Sequence, residues 1–397
     1  MQMRSENLSP DALADDWRNG GFGLYIHWPF CESKCPYCDF NSHVVSFVDQ
    51  AAWLEAYLSE IDRLGALTQG RILTSVFFGG GTPSLMPPET IAAILTRVRR
   101  TWASVNDLEI TLEANPGSVE SGRFRAFSDG GINRISMGVQ ALNDEDLRRL
   151  GRLHSVADAR RAFDIARNTF SRVSFDLIYA RQSQTLADWR SELTEALSMA
   201  VDHLSLYQLT IEPNTAFGDR YARGGLRGLP DDNTSADMYQ LTQELCEAHG
   251  MPAYEVSNHA RPGSESRHNQ VYWRYGDYLG IGPGAHMRLT LGSERRAIAC
   301  WSAPGKWLAK SKHGDTWSEN AQLDRSEQAV EFLLMGLRLT DGIDPARFEQ
   351  INGAPLRHED VDHLVAIGMV TASPTRIAAT AQGRMVLNSV IAALLPP

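Results

Sequence analysis

Cys31, Cys35 and Cys38 are three of the chain's five cysteines, and they fall in one short stretch. Thiolates spaced three and then two residues apart can converge on one metal centre. Three of them would leave one iron of a four-iron cluster without a protein ligand. An open iron can bind a small molecule, as an open zinc position binds water. On spacing alone two plainer readings stay open. His43 completes a Cys3His set that could hold zinc, and the thiols could carry no metal at all. The odd cysteine total argues against a simple disulfide framework.

Other residues point to the same place. The run Gly79-Gly80-Gly81-Thr82-Pro83 follows an apolar stretch. Consecutive glycines let backbone N–H groups approach a ligand closely, which a zinc finger does not need. The plain alternative is a tight strand-to-helix turn. Glu113 and Gln140 end two further apolar runs, and Asp176 lies on the next. Polar side chains at one end of otherwise apolar strands imply a shared pocket, although any one of them could be a satisfied structural group.

Elements to carry these residues are legible in the hydrophobic pattern. Strands are predicted over residues 23–28, 72–78, 108–113, 133–139, 172–179 and 203–209. Helices are predicted over 51–67, 88–102, 119–127, 144–150, 156–169, 186–200 and 235–249. Repeated βα units give a parallel sheet, closed into a partial barrel or doubly wound, with its working residues at the strands' C-terminal ends. From about residue 320 the texture changes. A helix over 325–339, a short one over 361–367, a hairpin through 369–378 and a helix over 381–395 resemble a winged-helix module. The expected organisation is an N-terminal segment (1–20), a barrel (21–250), a barrel extension (251–319) and a small C-terminal α+β domain (320–397).

Composition narrows the function. Of the 397 residues, 43% are hydrophobic, enough for a large core and unlike a disordered chain. The net charge of −10 speaks against a nucleic-acid or anionic-membrane binder. No run reaches the ~18 apolar residues of a membrane span. Residues 1–19 are polar and acidic, unlike a secretory signal or an Arg-rich transit peptide, so a cytoplasmic location is expected.

The motifs together carry a family resemblance. Gly-Leu-Tyr-Ile-His-Trp-Pro-Phe-Cys-Glu-Ser-Lys-Cys-Pro-Tyr-Cys-Asp-Phe is joined by Gly-Gly-Gly-Thr-Pro-Ser, Glu-Ala-Asn-Pro and Ser-Met-Gly-Val-Gln. The set resembles the radical S-adenosylmethionine superfamily, in its oxygen-independent coproporphyrinogen III oxidase group, over about residues 20–390. The resemblance implies an α/β fold, a partial (β/α)6 barrel, with a 4Fe–4S cluster on Cys31, Cys35 and Cys38. S-adenosylmethionine would chelate the remaining iron. Position by position, Tyr25 would stand beside the cluster loop and Tyr37 within it. Gly80, Gly81 and Thr82 would contact the methionine end, Glu113 would hold the cofactor, and Gln140, Arg152 and Asp176 would lie nearby. Thr210 and His286 fall at further contact positions with residue types that differ from the family's. In the oxidases several of these positions serve a second S-adenosylmethionine.

Three features point away from the oxidases themselves. Their fourth cysteine, two residues after the third, is Phe40 here. Their N-terminal segment is longer. Finally, His268-Asn269-Gln270-Val271-Tyr272-Trp273, followed by residues 277–286, matches the His-Asn-x-x-Tyr-Trp pattern of the group's haem-chaperone branch. One departure affects a loop: Ala180-Arg181-Gln182-Ser183 stands where the group often has Gly-Leu-Pro-Gly.

His and Tyr are haem-iron ligands, and aromatic rings offer a porphyrin a flat apolar face. On a helix His268 and Tyr272 would share one face. The plain reading is a packed, hydrogen-bonded junction. With the resemblance, His268, Asn269, Tyr272 and Trp273 are the candidate haem residues. The implied function is a haem chaperone that passes haem to respiratory proteins, with dimerisation as a possible role of the cluster. The alternative is an enzyme that oxidatively decarboxylates a porphyrinogen. Cys246 is expected in the core, and Cys300 has no assigned role.

Overall fold

The computed structural model describes residues 11–395, so the first ten residues of the segment expected over 1–20, and the last two of the chain, lie outside the described residues. Six strands follow in chain order and lie side by side in that order, each parallel to the next: β1 (Phe22–Trp28), β2 (Ile72–Gly80), β3 (Ala103–Ala114), β4 (Arg134–Gln140), β5 (Arg172–Tyr179) and β6 (His203–Gln208). Helices Gln50–Leu67, Pro88–Thr101, Ser121–Asp129, Val156–Thr169 and Leu186–Met199 connect them. This is the partial six-unit barrel expected from the sequence.

Strand side chains alternate between two faces, and here the two faces differ in chemistry. One face carries Leu24, Ile26, Val76, Phe78, Ile110, Leu112, Ile135, Met137, Phe175, Leu204 and Leu206, all buried in the main apolar core with the helices. The other carries Tyr25, His27, Phe77, Glu113, Arg134, Ser136, Asp176, His203, Ser205 and Tyr207, which line an interior cavity. On β1, β4 and β6 these positions are spaced by two, and all of them face inward together.

The sheet does not end with the six strands. On one side β7 (Asn258–Ala260) adds to β6 antiparallel. On the other, β8 (Asp277–Ile281) lies parallel beside β1, and β9 (His286–Leu291), β10 (Glu294–Cys300) and β11 (Trp317–Gln322) continue antiparallel, making eleven strands. Asp277 is fully buried and pins this junction. It receives Arg71, Arg295 (2.9 Å) and the Thr290 backbone N–H (2.6 Å). Two guanidiniums and a backbone donor satisfy a charge that would be costly to bury alone.

The seven-residue helix Arg267–Trp273 packs against β1, β2 and β8. Its His268 ring lies against Gly23 at the start of β1, and its first turn meets Glu109 in β3. It closes the barrel interior at the end opposite the cysteine loop.

Beyond β11 a second apolar core forms around helices Arg325–Gly336, Pro345–Asn352 and His358–Ala366, the hairpin Val370–Ser373/Arg376–Ala379, and helices Ala381–Met385 and Leu387–Leu394. The order matches the winged-helix expectation with two differences. Pro345–Asn352 is an additional helix, started by an Asp344 cap and ended at Gly353 with φ 83°. The last helix is broken at Val386, whose φ and ψ of −123° and 35° are not helical. No described helix is long and apolar enough to cross a membrane.

The loop Ala180-Arg181-Gln182-Ser183 keeps a glycine-like path without glycine: Ala180 and Ser183 have φ of 57° and 61°. Left-handed backbone costs a non-glycine residue ~1–2 kcal/mol. Neighbours hold it in place. Arg181, 3% exposed, donates to Asp146 (3.0 Å), Glu192 (2.6 Å) and the Ile178 carbonyl, and the Ser183 N–H donates to the Gly228 carbonyl (2.6 Å).

Candidate functional site

The cysteine loop leaves β1 at its C-terminal end and is anchored at its base. Gly81 donates its N–H to the Trp28 carbonyl (2.7 Å) and Thr82 to the Phe30 carbonyl (2.9 Å). A Cβ on Gly81 would come within 2.6 Å of the Phe30 oxygen and 3.0 Å of Cys31 Sγ, and Gly80 has φ 113°. Only glycine lets the two loops meet this closely.

Each thiol has a polar neighbour. Thr82 Oγ1 reaches Cys31 Sγ at 3.5 Å, Arg152 Nη1 reaches Cys35 Sγ at 3.4 Å, and Ser42 Oγ stands 4.0 Å from Cys38 Sγ. Burial pushes the Cys31 and Cys38 thiols above their ordinary range. The three line a small cavity of about 140 Å³ with Tyr37, Gly80, Gly81, Thr82, Glu113, Gln140, Arg152 and Asp176.

This donor set can be tested against the metals it could hold. Tetrahedral zinc with Zn–S of ~2.3 Å needs its thiolates about 3.8 Å apart. Among the described residues no three His, Cys, Asp or Glu side chains converge on one ion. His43 is turned away, its Nε2 3.0 Å from Asn41 Oδ1, and it lines a different cavity. Three soft thiols spread around a cavity fit a multi-iron cluster better than a single ion.

The wall opposite the thiols is polar. The Gly80 N–H donates to Glu113 Oε2 at 3.1 Å. Burial, then the charge of Asp176, raises the Glu113 carboxyl to about 8 against the Gly80 hydrogen bond. Asp176 is raised to about 6, again by burial first, while Ser205, Arg134 and Arg152 oppose the shift. Two carboxyls that resist ionisation in one cavity suit a ligand bearing an amine or other cation. Gln140 ends β4 with φ 75°, and Arg152 donates its Nη2 to the Gly138 carbonyl at 2.7 Å.

Tyr25 is not in the cysteine cavity. Its hydroxyl meets His27 Nδ1 at 3.0 Å, and its ring stacks on Phe77 and His268 in the larger cavity next door. That cavity, about 1190 Å³, shares Phe40, Ser42, Gly80, Glu113, Ser136 and Asp176 with the cysteine cavity, so the two adjoin.

Of the four candidate haem residues, His268, Asn269 and Tyr272 line the large cavity and Trp273 does not. On the helix Trp273 follows Tyr272 by ~100°, which turns it away. It lies under Arg338, whose guanidinium is 4.5 Å from the ring. His268 is 1% exposed, and both its ring nitrogens are engaged: Nδ1 with Ser75 Oγ at 2.9 Å and Nε2 with Tyr272 Oη at 2.6 Å. Burial, then Arg134, lowers it to about 3. The expected shared face of His268 and Tyr272 is present, and the two use it to bond each other. Thr210 is exposed beyond β6 and lines neither cavity, whereas His286 stands at the large cavity's edge.

Several cavity residues were outside the sequence-derived set, among them His27, Arg134, His203, Tyr207 and Tyr278. For the strand residues the signal was available: polar or aromatic side chains recur at every second position.

Comparison with known proteins adds the following. The family profile described as "Radical SAM superfamily" matches residues 25–194, and "HemN C-terminal domain" matches residues 323–386. "Radical S-adenosyl methionine domain-containing protein 1, mitochondrial" of Mus musculus is 38% identical over 388 residues, 94% of this chain and 87% of that protein. "Heme chaperone HemW" of Escherichia coli (strain K12) is 36% identical over 372 residues, 93% of this chain and 96% of that protein. The protein of that name in Bacillus subtilis (strain 168) is 33% identical over 378 residues, covering 94% and 98%. Among solved structures, coproporphyrinogen III oxidase (HemN) from Escherichia coli, titled a radical SAM enzyme, superposes with a TM-score of 0.78 at 23% identity, covering 98% of this chain and 94% of that one. That likeness establishes the shared fold.

Proposed function

Because the chain belongs to the radical SAM superfamily, and within it to the family of the heme chaperone HemW, we propose that it binds haem and passes it to haem-requiring proteins such as respiratory enzymes. Membership of the superfamily implies a 4Fe–4S cluster and S-adenosylmethionine. Cys31, Cys35 and Cys38 would hold the cluster, with the Arg152 guanidinium donating to Cys35 Sγ. The Gly80–Thr82 backbone, Glu113, Gln140 and Asp176 would hold S-adenosylmethionine in the adjoining space. When bound, the cluster supplies an electron carrier with one open iron site.

The observation that carries the haem reading is the large cavity. Its volume of about 1190 Å³ exceeds the ~300–1,000 Å³ usual for small-ligand sites. Its walls hold five histidines, four tyrosines, Phe40, Phe77 and Trp301, which suits a flat aromatic macrocycle with a metal at its centre. His268, Asn269 and Tyr272 form part of its inner wall.

The decisive experiment is anaerobic reconstitution with iron and sulfide, followed by haem titration and incubation with coproporphyrinogen III in parallel. Stoichiometric haem binding without decarboxylation is expected. Decarboxylation without haem binding would overturn the proposal in favour of the oxidase reading.

A further inference from the structure

The five histidines lining the large cavity are not equally able to bind a metal. His27 meets Tyr25 Oη through Nδ1 at 3.0 Å and the Asn41 carbonyl through Nε2 at 2.9 Å. His268 is bonded at both nitrogens and is 1% exposed. His203 is also 1% exposed, with Nε2 held by Tyr254 Oη at 3.0 Å; its Nδ1 has no partner but is fully buried in the barrel wall. His43 holds Asn41 Oδ1 through Nε2. His286 differs from all four. It begins β9 at the cavity edge, it is exposed, and among the described residues its ring makes no hydrogen bond.

The segments that carry it are held in place. Trp301 and Phe40 line the same cavity, and Phe40 is 59% exposed. Asn41 ties the end of the cysteine loop to the segments on either side of the β9–β10 pair. Its Nδ2 donates to the Pro283 carbonyl at 2.9 Å and to the Ser302 carbonyl at 2.8 Å. Partial burial and then the charge of Arg288 lower the His286 imidazole, partly offset by Glu319. A neutral imidazole with a free nitrogen is the form that ligates iron.

We propose that His286 supplies the protein's axial ligand to the iron of haem bound in the large cavity, and that His268 does not. The inference rests on the haem reading above and replaces the ligand assignment expected from the His-Asn-x-x-Tyr-Trp motif. The motif histidine would need to give up two buried hydrogen bonds to reach a metal. His286 gives up none.

The test is a ferric-haem titration of the full chain and of His286→Ala, His286→Gly, His43→Ala and His268→Gln, read by the Soret band and by electron paramagnetic resonance. Circular dichroism of each variant checks the fold. Loss of the imidazole-ligated spectrum in the two His286 variants, its return to His286→Gly on adding imidazole, and its retention in His43→Ala and folded His268→Gln are expected. An unchanged spectrum in His286→Ala, or loss in His43→Ala or folded His268→Gln with retention in His286→Ala, overturns the inference while leaving the chaperone reading intact. Absence of haem binding by the unsubstituted chain overturns both.

Discussion

Replacing His268 by alanine separates a structural histidine from a haem ligand, and the size of its effect can be worked out. The ring bridges Ser75 Oγ on β2 and Tyr272 Oη on its own helix, at 2.9 and 2.6 Å, and stacks on Phe77 with centroids 5.0 Å apart. Ser75 is fully buried, so its stranded hydroxyl costs the upper part of the ~1–3 kcal/mol expected for an unsatisfied group. Tyr272 borders the cavity and can turn to solvent, so its share is smaller. With the lost ring contacts, the expected destabilisation is about 3–5 kcal/mol near neutral pH. The pH dependence gives an independent check. His268 is lowered to about 3 from an ordinary 6.5. Between these values the unfolded chain binds a proton that the folded protein does not, so this group's contribution is present above 6.5 and is lost as pH falls towards 3. The slope is about 1.4 kcal/mol per pH unit, and His268→Ala removes it. The gap between the two proteins should therefore narrow by about 3 kcal/mol from pH 7 to pH 4. Urea unfolding followed by tryptophan fluorescence measures both quantities. A destabilisation below about 1 kcal/mol, or a gap constant with pH, would refute the assignment of His268 as a brace of the barrel interior.

Further outcomes follow from the same geometry. Alanine at Cys31, Cys35 or Cys38 should each lower bound iron and sulfide sharply after reconstitution, whereas alanine at Cys246 or Cys300, both buried and neither lining the cysteine cavity, should not; iron and acid-labile sulfide assays decide. Glu113, raised to about 8 from 4.5, keeps a proton in the folded state that the unfolded chain loses, so its effect is a fall in stability as pH rises across that window. Glu113→Gln should abolish this fall, worth on the order of 4 kcal/mol by pH 8, and parallel melting curves at pH 5 and 8 would show no such gain if the carboxyl ionises normally. Asp277→Asn leaves Arg71 and Arg295 without their buried anion and should cost about 3–5 kcal/mol in denaturant titration. Ala180→Gly should stabilise the protein by roughly 1 kcal/mol by relieving left-handed strain; an unchanged unfolding midpoint would show that the loop is not strained.

Much of this protein can be read along the chain. The six strands and the helices between them follow from periodicity because each strand buries one face under apolar helix stripes. The added helix Pro345–Asn352 is harder to see, being short and dependent on neighbouring Phe332 and Leu364 for its core. The loop after β5 shows the limit of motif reading. It takes left-handed backbone at Ala180 and Ser183 without glycine, held by a buried Arg181 and two acids on other segments.

The sequence by itself determined where the cysteine cavity lies and which loops form it. Cys31, Cys35, Cys38 and the glycine run lie on loops directly after the first two parallel strands, so strand order alone brings them together at one end. It could not decide what each histidine does. A histidine's role depends on which groups reach its two nitrogens, and those groups lie far away in the chain. Ser75 is 193 residues from His268, and only the packed barrel makes them partners. Tertiary structure turned Trp273 away from the cavity, engaged His268 at both nitrogens, and left His286 free at the edge, because hydrogen-bond competition is settled by three-dimensional neighbours.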